Sequence, residues 1–193
     1  MAPTLENPCS RFSDPGEPTP VVKPEVLDTE DVARWIEAHQ VAAEVVHLPT
    51  HTPTVELAAQ AVGTDPERIV KSLLFLVEGR PLVVVACGVG RVDQRAIASW
   101  FGVGRKRVRL ASPAEVLAAT GYPIGALPPF GHRQPLPTLI DRRALVHPEV
   151  YAGGGSIDAL VRLNPADIQR LTGAAVADLV RPTEAKDAPD SQR

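Results

Sequence analysis

The chain has 193 residues, 44% of them hydrophobic, which is enough for one domain with a real core and not obviously enough for two. Aromatic residues make up only 4%, so aliphatic side chains must fill that core. The formal net charge of −3 excludes a global positive field that would draw the chain onto nucleic acid, so any RNA contact must come from a local patch.

The two ends of the chain differ in composition from its middle. Residues 1–24 contain six prolines without apolar periodicity and are predicted to be a disordered leader, and the polar residues 182–193 are predicted to be a disordered tail. The folded domain is therefore expected over residues 25–181. No signal peptide and no apolar run of about 20 residues, the length of a membrane span, is found. A cytoplasmic protein with no membrane partner is expected.

Capping residues followed by apolar side chains at helical spacing predict five helices. The helices are expected to begin at Asp28 or Thr29, Thr54, Asp93, Ser112 and Asn164. The last four are expected to end at Gly63, Gly102, Gly121 and Gly173.

Runs of strand-forming residues lie between these helices. The predicted strands cover residues 69–77, 82–87, 107–110, 138–141, 150–152 and 157–163. The first two flank a turn at residues 78–80 and form an antiparallel hairpin, which a doubly wound parallel sheet would not contain. We therefore predict an α+β fold with a mixed, mainly antiparallel, curved sheet flanked by helices.

Lys71 interrupts a strand that is otherwise almost wholly apolar. Lysine is depleted in strands and rarely buried without a partner. In one interpretation its long side chain reaches solvent. In the other, a partly desolvated ammonium faces a pocket and holds a phosphate, a carboxylate or a developing oxyanion.

A long segment rich in glycine and proline, residues 121–137, follows the fourth helix. Within it, Gly125 and Gly131 permit close approach of the backbone to a ligand, and Pro129 fixes the shape. The alternative is a rigid surface turn. A second glycine run, residues 153–155, matches no phosphate-binding fingerprint.

Other candidate groups are weaker. The basic cluster of Arg105, Lys106 and Arg107 is interpreted either as a solvated face or as a contact with RNA phosphates. Cys87 is interpreted as a small buried hydrophobe, with a catalytic role as the minor alternative, and Cys9 lies in the leader. The spacing of cysteine and histidine indicates neither a disulfide framework nor a metal site.

The order and spacing of these motifs resemble the YbaK/prolyl-tRNA synthetase-associated domain family. The resemblance covers residues 27–181 and rests on the lysine strand 69–73, the segment Gly125–Pro129, and strand 138–141 followed by the glycine segment 150–155. It implies a partial barrel and hydrolysis of the ester that joins a wrong amino acid to the tRNA 3′ end. Water is then the nucleophile, no cofactor is needed, and the partners are a mischarged tRNA and, as a further candidate, an aminoacyl-tRNA synthetase.

The same resemblance implies roles for individual residues. Lys71 is the catalytic residue that holds and polarises the substrate. The contact of Arg105, Lys106 and Arg107 with tRNA is expected from their charge and not from the resemblance. The substrate-binding residues are expected to be Ser72, Gly125, Ala126, Pro129, Gly131 and Gly154. Ser72 stands where family members that clear alanine often have asparagine. A free-standing deacylase for a small amino acid such as alanine, serine or cysteine is expected.

Two other functions remain open at this point. The chain could be a catalytically silent module that binds tRNA or a synthetase, or a regulatory domain that binds a small molecule in the same pocket. Retention of Lys71 favours the enzyme, because a silent relative could lose this lysine freely.

Overall fold

A computed structural model describes residues 26–49 and 51–180, so the expected leader, the expected tail and Cys9 lie outside the described residues. Five α-helices occur in this part of the chain: α1 Thr29–Ala38, α2 Val55–Val62, α3 Gln94–Phe101, α4 Pro113–Thr120 and α5 Pro165–Thr172. The strands are β1 Ala43–His47, β2 Val70–Val77, β3 Arg80–Cys87, β4 Val108–Leu110, β5 Thr138–Asp141, β6 Val150–Gly153, β7 Ala159–Leu163 and β8 Ala175–Ala177. Short 3₁₀ turns cover Pro66–Arg68, Arg105–Arg107 and Arg142–Val146.

The helices are set by their local sequence, as predicted. Asp28 caps α1 by accepting from the amides of Glu30 and Asp31, and Ser112 caps α4 in the same way with Glu115. These side chains satisfy amides that have no partner inside the helix. The four predicted glycine ends all take the left-handed conformation that favours glycine. None of the helices within residues 26–49 and 51–180 is long and apolar enough to cross a bilayer.

The strands form two sheets that do not close into a barrel. The smaller sheet has the order β1-β7-β6 and is antiparallel throughout. The larger has the order β4-β2-β3-β5-β8, in which only the β3–β5 and β5–β8 pairs are parallel. The α+β class and the mixed, mainly antiparallel arrangement are confirmed, and the sheets do not close into a full barrel.

Two strands were not predicted from the sequence. The five residues of β1 exist as a strand through antiparallel pairing with β7, and the three residues of β8 through parallel pairing with β5. The predicted strand 157–163 begins only at Ala159, because residues 157 and 158 form a turn.

A buried carboxylate fixes the C-terminal end of the described chain. Asp141, 1% exposed at the end of β5, accepts from the amides of Leu179 and Val180 at 2.8 and 3.0 Å. It also accepts from the amide and the Nε of Arg143. A carboxylate so satisfied can be buried without a large cost. Asp141 therefore holds the segment after β8 in place.

The central hairpin β2–β3 separates the buried clusters. On one face, Val70, Leu74 and Cys87 pack with Leu127 and Phe130 of the glycine–proline loop. On the opposite face, Phe75 and Val84 pack with α3. Ile69 packs on this second face near the start of β2, with Tyr151 and α2. The alternation of the strand thus places Lys71 between two apolar clusters.

Candidate functional site

The Lys71 ammonium is held by the backbone that follows β3. The side chain is half-buried, and its Nζ donates to the carbonyl oxygens of Gly88 and Gly90 at 3.1 and 2.6 Å. An ammonium has three donors. Since two are used within the protein, one remains for a bound group, and the direction of the side chain is fixed by the other two.

The surroundings of Lys71 alter its pKa. Burial lowers the pKa of Lys71, and Arg143 adds to that shift, whereas the acidic groups around it, including Glu56 and Glu67, oppose it. Partial desolvation strengthens the electrostatic action of a charge on a neighbouring group. A half-buried ammonium with nearby carboxylates therefore has the setting of a group that acts on a substrate.

Cys87 lies on the opposite face of the hairpin and is wholly buried. Burial raises the pKa of its thiol to about 11, so the thiolate form that nucleophilic attack requires is disfavoured at neutral pH. The interpretation of Cys87 as a small buried hydrophobe is confirmed.

The glycine segment at the end of β6 connects Lys71 to the glycine–proline loop. An isolated parallel bridge joins Ile69, two residues before Lys71, to Tyr151, two residues before Gly153. A Cβ atom at Gly153 would lie 2.4 Å from the carbonyl oxygen of Leu127. Only glycine permits this approach, so β6 meets the loop at Gly153, and the bridge ties β6 to the strand that carries Lys71.

The neighbouring glycines are packed just as tightly. A Cβ atom at Gly154 would lie 2.7 Å from the backbone of Ala159, and one at Gly155 would lie 2.5 Å from the carbonyl oxygen of Asp28. The amide of Gly155 donates to the carbonyl of Ala126 at 2.9 Å. The predicted substrate-binding residue Gly154 is buried, and its packing gives it a structural reason to be glycine.

The loop is fixed by its own side chains and by α1. Tyr122 Oη donates to the carbonyl of Gly131, and His132 Nε2 donates to that of Pro128. The rings of Phe130 and Trp35 stack at 4.5 Å between centroids. Ala126 and Pro129 are buried. The segment is therefore a rigid part of the core and not a rigid surface turn.

Gly125 differs from the other loop residues because it is exposed. Its φ of +87° favours glycine, yet nothing lies within 4 Å of the position that a Cβ atom would take. The close backbone approach inside the protein occurs at Gly153, and the surface at Gly125 is open to a ligand.

Ser72 lies on the other face of β2 from Lys71, between Val70 and Leu74. That face packs against Leu127 and Phe130. The Ser72 Oγ is buried and has no hydrogen-bond partner among the described residues. A buried hydroxyl without a partner is uncommon and costs free energy, so Ser72 is a candidate to meet a bound group on the loop side.

The predicted basic cluster is divided by its ion pairs. Arg107 pairs with Glu78, and Arg105 makes only a long contact of 3.5 Å with the carbonyl of Val108. Lys106 is exposed. Sequence reasoning missed Arg91 and Arg95, which border the same cavity as Arg105. The sequence signal was present as a basic residue on each side of the Asp93 cap.

Within residues 26–49 and 51–180, no group of three histidine, cysteine, aspartate or glutamate residues is placed to hold a metal ion.

The chain is similar to several known proteins. The family model described as the aminoacyl-tRNA editing domain matches residues 49–171. YwhH of Bacillus subtilis (strain 168), an uncharacterized protein, is 31% identical over 134 residues, which cover 69% of this chain and 83% of YwhH. EbsC of Enterococcus faecalis (strain ATCC 700802 / V583), named as a candidate Cys-tRNA(Pro)/Cys-tRNA(Cys) deacylase, is 24% identical over 163 residues, which cover 82% of this chain and 98% of EbsC. The crystal structure of a candidate trans-editing enzyme for prolyl-tRNA synthetase matches with a TM-score of 0.73 at 38% identity, covering 84% of this chain and 100% of that one.

Proposed function

We propose that this chain acts in trans on a tRNA that carries a small amino acid. The chain belongs to the aminoacyl-tRNA editing domain family and is an aminoacyl-tRNA deacylase. The expected amino acids are alanine, serine and cysteine. The name of EbsC, which refers to cysteinyl-tRNA, supports cysteine as one of them.

The observation that carries this proposal is the geometry of Lys71. Its ammonium is fixed by two backbone carbonyls and keeps one donor, on the strand that a bridge ties to β6. In the proposed mechanism this donor binds the ester carbonyl oxygen and stabilises the negative charge that develops on it in the transition state. Lys71 is thus the proposed catalytic residue.

The reaction requires no protein nucleophile. An aminoacyl ester is already activated, so a water molecule held in the correct orientation can attack its carbonyl carbon. The terminal ribose hydroxyl next to the ester could assist by hydrogen bonding. The ester C–O bond then breaks, the ribose oxygen leaves with a proton, and the amino acid leaves as a carboxylic acid. Cys87 takes no part in this scheme, because it is buried and its raised pKa disfavours the thiolate.

The loop supplies the proposed selection by size. The loop cannot open easily, because hydrogen bonds and ring stacking hold it up to Gly131. It runs from the exposed Gly125 to the buried Ala126 and Pro129. A rigid wall rejects a large side chain by steric clash. Ser72, whose hydroxyl lacks a partner among the described residues, is proposed to bind the polar part of the amino acid from the loop side.

Two partners follow from this proposal. The mischarged tRNA is the substrate, and its phosphates require a local positive patch because the chain as a whole is acidic. The description of the similar solved protein as a trans-editing enzyme for prolyl-tRNA synthetase supports a synthetase as a second partner.

A deacylation panel tests the proposal. Purified full-length chain is mixed with tRNAs charged with alanine, serine, cysteine, proline, leucine or phenylalanine, and release of the amino acid is followed beside Lys71→Ala at equal concentration. We expect turnover of at least one small amino acid by the wild type only. Binding of charged tRNA without turnover of any ester would contradict the proposal and favour the silent binding module.

A further inference from the structure

Three arginines surround a cavity at the beginning of α3. The cavity has a volume of about 540 Å³, and Arg91, Arg95 and Arg105 line it together with Val92, Asp93 and Gln94. All three arginine side chains are exposed. Because Arg105 comes from the turn before β4 and the other two flank the start of α3, only the tertiary structure brings these guanidinium groups together. We call this cavity the arginine cleft.

Among residues 26–49 and 51–180, the arginines of the cleft differ from most others because no ion pair joins them to a carboxylate. Eight other arginines form ion pairs with carboxylates, namely Arg34, Arg68, Arg107, Arg109, Arg142, Arg143, Arg162 and Arg170. Among the described residues, the guanidinium groups of Arg91 and Arg95 have no such pair, and that of Arg105 contacts only a carbonyl oxygen. Guanidinium groups that line one cavity and form no ion pair with a described carboxylate repel each other, and an anionic ligand would relieve that repulsion.

One acidic residue, Asp93, lines the same cleft. Its carboxylate accepts from the amide of Arg95 and caps α3. Three guanidinium groups and one carboxylate leave a net charge of +2 in the cleft, in a chain whose formal net charge is −3. The cleft is thus a locally positive region in a chain whose net charge is negative.

The cleft begins next to the proposed catalytic lysine. Lys71 Nζ donates to the carbonyl oxygen of Gly90, and Arg91 is the next residue along the chain. The Arg91 edge of the cleft therefore adjoins the carbonyl that holds Lys71, which lets one bound polyanion reach both. Three exposed guanidinium groups spread around an open cavity suit successive phosphates of a chain better than one enclosed anion.

We propose that Arg91, Arg95 and Arg105 form a binding site for the phosphate backbone of RNA that feeds the RNA 3′ end to Lys71. That the RNA is an aminoacylated tRNA rests on the function proposed above. Guanidinium groups suit this role because their planar donors match phosphate oxygens.

The test measures binding of uncharged tRNA to full-length protein by fluorescence anisotropy over a range of salt concentrations. The variant Arg91→Ala/Arg95→Ala is compared with Arg142→Ala/Arg170→Ala, which removes the same charge from two exposed arginines that pair with Asp178 and Asp167. We expect the cleft variant to bind about tenfold or more weakly, as removal of charge-assisted hydrogen bonds implies. The slope of log K against log salt should fall by about 0.7–0.9 for each phosphate that the variant no longer neutralises. The control variant should stay near wild type.

Three outcomes would overturn the assignment. The first is that wild-type protein does not bind tRNA. The second is that the two double variants have equal affinities and equal salt slopes. The third is that adenosine monophosphate displaces tRNA when the two are present at equal concentrations of phosphate. The last would assign the cleft to a free nucleotide. Because the assay needs no turnover, weaker binding by the cleft variant supports the site even if the deacylation panel fails.

Discussion

The two positively charged regions of the molecule are built in opposite ways. Lys71 is half-buried, lies between apolar clusters and is directed by the carbonyls of Gly88 and Gly90. The arginine cleft is exposed, and the guanidinium groups of Arg91 and Arg95 are not held by any described partner. A buried and directed cation can act on a single atom of a substrate, whereas several exposed cations can neutralise successive phosphates of a polyanion. This difference supports the two proposals, with chemistry at the first region and RNA binding at the second.

The variant Lys71→Ala tests this comparison most directly and should have the largest effect. We expect kcat/KM for deacylation to fall by at least about 100-fold, the usual cost of removing a donor to a developing oxyanion. The affinity for uncharged tRNA should change by less than about twofold, because the arginine cleft is intact. Urea unfolding should show a loss of about 1–3 kcal/mol, since the carbonyls of Gly88 and Gly90 lose their donor. Deacylation at the wild-type rate would remove Lys71 from the mechanism.

Substrate size gives the next largest effect. Esters of alanine, serine and cysteine should be hydrolysed at least about tenfold faster than those of leucine and phenylalanine, because a single methylene is worth about 1–3 kcal/mol in a fitted pocket and a clash costs more. The ratio between amino acids should be the same in Arg91→Ala/Arg95→Ala as in the wild type, since the cleft lies outside the amino-acid pocket. Faster hydrolysis of the large esters would contradict the rigid loop while leaving the hydrolase activity intact.

A pair of glycine variants tests whether the contact between β6 and the loop matters for the activity assigned to Lys71. In Gly153→Ala the new Cβ meets the carbonyl of Leu127 at 2.4 Å, so the loop must shift. We expect a loss of about 1–3 kcal/mol in unfolding free energy from overpacking. Deacylation should fall about tenfold, because a misplacement of about 1 Å can cost up to 100-fold.

Gly125→Ala is the matched control for this effect. Space is available there, and only the φ of +87° is unfavourable for alanine, at a cost of about 1–2 kcal/mol. Its deacylation should fall by less than in Gly153→Ala, and both variants should keep wild-type affinity for tRNA. The reverse order of the two activities would place the important contact at Gly125.

The smallest effect is expected at Cys87, which belongs to neither region. Cys87→Ala in a Cys9→Ser background should keep deacylation within about twofold, a change below about 0.5 kcal/mol in the activation barrier. A much larger decrease would reopen the catalytic alternative for this thiol.

The pH dependence of stability checks the environment of the same residue. Burial raises the pKa of the Cys87 thiol from 9.0 to about 11. Its contribution to stability is therefore fully present below about pH 9 and is lost as the pH rises towards about 11, because the unfolded chain releases the proton first. Urea unfolding under reducing conditions at pH 8 and pH 10.5 should show a larger loss for the Cys9→Ser protein than for Cys9→Ser/Cys87→Ala.

Much of the fold was predictable from the sequence because its signals are local. Asp28 and Ser112 act on amides within the same turn, and the glycines that end α2 to α5 act on their own helices. The hairpin β2–β3 needs only a short turn between two apolar runs. Lys71 was identified for the same reason, since a charged residue in an apolar strand is visible without knowledge of any contact.

The remaining features depend on the three-dimensional arrangement, because the contacts that fix them join residues far apart in the chain. Strands β1 and β8 exist through pairing with β7 and β5, and the glycine at position 153 is required by a carbonyl 26 residues earlier. Which arginines are neutralised likewise depends on where the acidic residues fall in space. Local sequence signals therefore specify the helices, the hairpin and the lysine, while long-range packing sets where the loop lies and which arginines form ion pairs with described carboxylates.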